Sequence, residues 1–159
     1  MPRQLLVLLV PLDGSPLAEL ALPHAAFLAK RLRARILLLR VNPEIGAGVD
    51  PYTIRRLAEE DSARAHAYLD VQQQKLGQAG LAAEGIIRVG DPVPTITAVV
   101  RERSVSYVVM TTHGRSGLQR ALFGSVADGV IRESPVPVVV IRPSQPLPSQ
   151  FAHLAAHVH

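Results

Sequence analysis

The chain has no cysteine and no tryptophan, and only 4% of its 159 residues are aromatic. Without cysteine there are no disulfides and no thiol chemistry. That fits a reducing compartment, and the protein is expected in the cytoplasm. So few aromatic rings leave little with which to stack nucleic-acid bases. Long hydrophobic runs are missing too. The apolar run over residues 5–12 falls far short of the roughly 20 residues that a membrane helix needs. It leads into Pro-Leu-Asp-Gly-Ser with no small-residue cleavage site, so a buried strand is the expected reading rather than a secretory leader. Lysine is scarce: two lysines stand against fifteen arginines in a chain of net charge +4. The arginines are scattered from Arg3 to Arg142 in only short clusters, such as Arg31, Arg33, Arg35 and Arg55, Arg56, which does not read as a nucleic-acid face.

What is present is a folded domain. Hydrophobic residues make up 48% and charged residues 19%, in a length that suits one domain with a full core. Apolar runs at 5–12, 36–41, 82–89, 105–111 and 136–141 read as strands. Their near-continuous apolarity is that of parallel strands covered on both faces. Helical spacing fills the intervals. Ser15 caps a helix that starts at Pro16, runs to about Leu32 and should kink at Pro23. A long polar helix spans about 52–76, with gaps in its apolar stripe at Asp61 and Gln72 and a possible Glu60–Arg64 pair. Asp91-Pro92 opens a helix with Val93, Ile96, Val99 and Val100 inward and residues 101–103 outward. A last helix covers 125–133 and stops before Pro135. Five strands alternating with four helices predict an α/β fold: an open parallel sheet with right-handed crossovers and helices on both faces. In such sheets ligands bind beyond the carboxyl ends of the strands, where strand order reverses. The segment 143–159 holds three prolines and three histidines, His153, His157 and His159. It reads as a tail or short docking segment attached to a domain over 1–142, more than as a metal site.

The most informative stretch is Met110-Thr-Thr-His-Gly-Arg-Ser-Gly-Leu-Gln-Arg-Ala-Leu-Phe-Gly-Ser-Val126. It joins a strand to a helix and holds Gly114, Gly117 and Gly124, Arg115 and Arg120, several hydroxyls and no acid. Glycines let a backbone approach a ligand closely. Successive backbone N–H groups and the following helix N-terminus favour an anion. The physics therefore allows a phosphate site. The same residues also suit a tight connection, with Ser125 as a helix cap in the box Ser125-x-x-Asp128. The loop is neither a Walker A sequence nor G-x-G-x-x-G.

At this point the chain resembles the universal stress proteins over about residues 4–142. The resemblance rests on Leu-Val-Pro-Leu-Asp-Gly-Ser at 9–15, on Gly90-Asp-Pro, and on Thr112-His-Gly-Arg-Ser-Gly. Gly124-Ser-Val-Ala-Asp128 and Pro135-Val-Pro-Val-Val-Val complete it. It implies a Rossmann-like sheet of order 3-2-1-4-5. The ATP-binding type of the family carries Gly, two residues, Gly, nine residues, then Gly with Ser or Thr. Gly114, residues 115–123, Gly124 and Ser125 fit the latter part, while Thr111 stands where the first glycine belongs.

The resemblance places Asp13 and Val41 by adenine and ribose, with Pro11 and Met110 lining that pocket. It places Thr111 and Gly114 near the ribose and α-phosphate, and Gly124, Ser125 and Val126 at the β- and γ-phosphates. Arg115 and Ser116 are our additions as phosphate contacts, against the alternative of a solvated loop tip. His113 has no visible partner that would make it a base. The implied function is an ATP-binding, or ADP- or AMP-binding, stress-response regulator, with Mg²⁺ or Mn²⁺ carried by the phosphates and no catalytic residue assigned. It also implies a homodimer through the last strand, Val136 to Ile141, whose edge is otherwise open, and an unknown protein partner. The alternatives are a scaffold of the same fold that binds no nucleotide and, further off, a nucleotide-using transferase. The transferase lacks its usual His-x-Gly-His or Ser-Gly-Gly-x-Asp-Ser sequences here.

Overall fold

The computed structural model describes residues 5–112 and 124–155. The elements run β1 Val7–Pro11, α1 Pro16–Glu19, α2 Ala21–Leu32, β2 Arg35–Asn42, α3 Pro51–Gln78 and β3 Ala83–Val89. Then follow α4 Pro92–Glu102, β4 Tyr107–Thr111, α5 Ser125–Glu133, β5 Val138–Ile141 and a 3₁₀ helix, Ser149–Leu154. All five strands are parallel, in the order β3-β2-β1-β4-β5. The predicted fold class and strand order hold. β1 pairs with β2 on one side (Leu8 opposite Ile36) and with β4 on the other (Leu8 opposite Tyr107). The reversal of strand order therefore falls between β1 and β4.

Alternation along the strands divides the core into two layers. Leu8, Val10, Ile36, Leu38 and Val109 face α2 and α3, whereas Val7, Leu9, Leu37, Leu39, Val108 and Met110 face α4 and α5. Burial of these side chains is the main force holding the layers together. Gly129 of α5 makes a close approach to α4: a Cβ there would stand 2.7 Å from Val93 Cγ2. At the amino end of the strands, Glu84 accepts from Arg103 at 2.7 Å and from Arg35 at 3.2 Å. Arg103 above all, then Arg35, holds the Glu84 carboxyl below its ordinary pKa.

Several local expectations need correction. The helix predicted over 16–32 is two helices, broken at Leu20 and not kinked at Pro23. Pro23 is the third residue of α2, where a backbone N–H has no partner within the helix, so its loss costs little there. Glu60 pairs with Arg56 instead of Arg64, and Arg64 turns to Asp61. Gln72 is not a gap but lies inside, 3% exposed. Arg103 folds back on Glu84 instead of pointing outward. β5 begins after Pro137, whose carbonyl accepts from Val108 N at 3.0 Å. Asp91 stands at the N-cap of α4, though its side chain makes no capping bond. His24 is a half-buried helix residue, and desolvation lowers its pKa.

The segment after β5 docks on the domain. Phe151 is 3% exposed and Leu154 0%, both within the α2-side core. Lys30 lies over the Phe151 ring, 5.7 Å from its centroid. His153 is exposed, and His157 and His159 lie outside the described residues.

Candidate functional site

Four sequence-distant pieces meet at the carboxyl edge of the sheet. The first is the turn after β1. Leu12 N donates to Leu39 O at 2.8 Å, which carries the strand one step past its last pair. Asp13 Oδ1 then accepts from Ser15 N at 2.8 Å, the self-closing turn that a short carboxylate side chain makes. Gly14 sits at φ +85°, a conformation that side chains resist. Ser15 caps α1, its Oγ accepting from Ala18 N at 3.2 Å. This is the predicted cap. The second piece is the end of β2 at Val41. The third is the end of β4, Met110 and Thr111, where Thr112 N donates to Ile141 O at 3.0 Å.

The fourth is the start of α5. Its N-cap is Gly124, not Ser125, and among the described residues no side chain closes the cap. Ser125 is the first helical residue, so the capping-box reading of Ser125 and Asp128 fails. Asp128 N bonds to Gly124 O at 2.9 Å, which begins the helix ladder. The N–H groups ahead of it have no partner within the helix and carry its partial positive charge.

These pieces enclose a cavity of about 240 Å³. Pro11, Asp13, Val41, Met110, Thr111, Gly124, Ser125 and Val126 all line it. Gly114, Arg115, Ser116 and His113 lie outside the described residues. Sequence reasoning missed Ser15, Leu17 and Ala18 from the α1 segment, Leu39, and Pro92 and Ile96 from α4. Leu17 and Ile96 read as core positions from periodicity, and only the strand order reveals that they look onto the cavity. The wall made by Pro11, Leu39, Val41, Ile96 and Met110 is apolar. Among the described residues Asp13 is the sole ionisable side chain on the lining. The Thr111 Oγ1 is buried with no hydrogen-bond partner among the described residues.

A second cavity, about 350 Å³, lies between the ends of β2 and β3 and the upper part of α3. Its charged lining is acidic, Glu44 and Asp61, the wrong sign for a phosphate. Among the described residues no group of three or more His, Cys, Asp or Glu is placed to hold a metal, and no helix is long and apolar enough to cross a membrane.

Comparison with known proteins bears on the same region. The model of the universal stress protein family matches residues 7–142. Universal stress protein YxiE of Bacillus subtilis is 30% identical over 144 residues, covering 85% of this chain and 97% of that protein. The solved structure of hypothetical protein MJ0577, from Methanocaldococcus jannaschii, superposes with a TM-score of 0.76 at 27% identity, covering 89% of this chain and 98% of the other. A universal stress protein from Archaeoglobus fulgidus, solved in complex with dAMP, superposes with a TM-score of 0.64 at 21% identity over 86% of this chain and 97% of the other. At that identity the likeness is one of fold.

Proposed function

Because this chain belongs to the universal stress protein family, we propose that its β1/β4 cavity holds an adenine nucleotide and that the protein is a nucleotide-dependent stress-response regulator. One observation carries the reading: the N-terminus of α5 lines the same cavity as an apolar wall and, among the described residues, a single carboxylate. Those are three different environments for the three parts of a nucleotide. Pro11, Val41 and Met110 suit a base. The Asp13 carboxylate and the Thr111 backbone suit ribose hydroxyls. The N–H groups of Ser125 and Val126, the close backbone of Gly124 and the Ser125 hydroxyl suit phosphates. Gly114, Arg115 and Ser116 complete the phosphate end in this proposal. The dAMP held by the Archaeoglobus protein supports adenine nucleotides as the class. Mg²⁺ or Mn²⁺ enters as the counter-ion of an ATP polyphosphate.

The proposal is binding, not turnover. Phosphoryl transfer to water needs a group that orients the nucleophile and positive charge on the leaving phosphates. Asp13 is committed by its bond to Ser15 N and by the sugar role. The protein acts in the cytoplasm, as a homodimer formed by pairing of the β5 edges, where Val138, Val139 and Val140 are half-exposed. Light scattering is expected to give twice the 17.1 kDa chain mass. A monomer at all concentrations rules the β5 pairing out.

Calorimetric titration of nucleotide-stripped protein with ATP and Mg²⁺ is expected to show a Kd of about micromolar order. Absence of heat and of co-purified nucleotide in a well-folded protein moves the assignment to a scaffold without nucleotide. Thr111 favours that second reading, since it puts a side chain where the family motif has glycine. Restoring binding with Thr111→Gly would identify it as the cause.

A further inference from the structure

One polar cluster lies apart from the cavity lining. Glu19, the last residue of α1, is 6% exposed, and Gln72 of α3 is 3% exposed. Tyr68 Oη donates to Glu19 Oε1 at 2.9 Å, and Gln72 Nε2 donates to the same oxygen at 3.4 Å. Gln72 Oε1 is buried with no donor to match it among the described residues. Burial first, and then the charge of Glu19, raises the Tyr68 pKa, so the phenol stays a neutral donor. Stability alone does not favour such a group. A buried carboxylate and an unmatched buried carbonyl both cost free energy that an apolar trio would avoid.

Its placement supplies a reason. α1 is four residues long. Asp13, Ser15, Leu17 and Ala18, on this turn and helix, form one wall of the nucleotide cavity. The other side-chain hydrogen bonds of that segment are internal, Asp13 to Ser15 and Ser15 to Ala18. Among the described residues, the bonds from Glu19 to α3 are its side-chain hydrogen bonds to another element.

We propose that Glu19, Tyr68 and Gln72 are positioning residues, a latch from α3 that sets the height of the α1 wall over the cavity and so its affinity for nucleotide. The proposal rests on the nucleotide reading above. Tyr68→Phe removes one hydroxyl and keeps the ring. Glu19→Gln keeps an acceptor oxygen. Glu19→Leu with Gln72→Leu replaces the latch by apolar packing. Each is compared with the parent in three measurements: thermal unfolding, ATP–Mg²⁺ titration, and amide exchange over residues 15–18, read at Ser15, Leu17 and Ala18.

Tyr68→Phe and the leucine pair are expected to bind ATP about tenfold more weakly. Exchange at 15–18 should be faster in both, with little change in melting temperature. Glu19→Gln should stay near the parent. Parent-like affinity and parent-like exchange in both Tyr68→Phe and the leucine pair overturn the latch. So does loss of affinity accompanied by a general fall in stability and exchange faster throughout the chain, which marks ordinary packing. If the parent binds no nucleotide, the functional reading fails separately. Exchange then decides the latch: faster exchange confined to 15–18 supports it, and unchanged or uniformly faster exchange overturns it.

Discussion

Truncating Phe151 to alanine is expected to cost about 3–5 kcal/mol of folding stability, the range for removing a buried phenylalanine. In a domain of this size that lowers the melting temperature by roughly 10 °C. Right-handed crossovers place α1, α2 and α3 on one face of the sheet and α4 and α5 on the other. Among the described residues no further crossover helix covers the β4–β5 end on the first face. Tyr107, Val109, Val139 and Ile141 present apolar surface there, and Phe151 and Leu154 join the same cluster. The matched family region ends at residue 142, so this cover comes from beyond it. Polar substitutions at the exposed His153 serve as the control and should leave stability within about 0.5 kcal/mol. Denaturant melts of the two variants check the contrast. A Phe151→Ala curve that overlays the parent would show that the segment does not pack on the core in solution.

The same segment marks the limit of the sequence. The five strands were legible because each is an apolar run between turn residues, and parallel burial erases the alternation that would complicate them. Strand order was reachable only through the resemblance, since no periodicity tells β1 that it pairs with β4. The docking of Phe151 was not legible in detail. A lone aromatic among prolines has no period, and its segment packs against α2 and α3, far away in the sequence. Gln72 failed for a related reason. Its polarity marked a gap in the α3 stripe, but Glu19, its buried partner, stands 53 positions earlier. At the site, Asp13, Gly124 and Ser125 were legible as turn and helix-start chemistry. Ile96 and Leu17 were not, because an apolar residue facing a cavity has the same sequence signal as one facing the core.

Gly124→Val is expected to weaken nucleotide binding at least about 100-fold, roughly 2.7 kcal/mol. The backbone supports the test. Gly124 has φ −55° and ψ 153°, an extended conformation open to valine, so the substitution does not strain the chain. Glycine is the better N-cap, but the difference amounts to about 1 kcal/mol of helix stability. What changes most is the cavity wall: a branched side chain would stand where the phosphates must come within hydrogen-bond reach of the Ser125 and Val126 amides. A companion, Ser125→Asp, separates the two effects from the other side. A carboxylate in the first turn of α5 interacts favourably with the helix dipole, by about 0.3–1 kcal/mol, while it repels a phosphate at the same place. The expected pair of results is therefore a valine variant that is slightly less stable and an aspartate variant that is as stable as the parent or more so, both with affinity lost. Parent-like titration curves for the two folded variants would remove the phosphates from the α5 N-terminus and leave the cavity to a ligand that carries none.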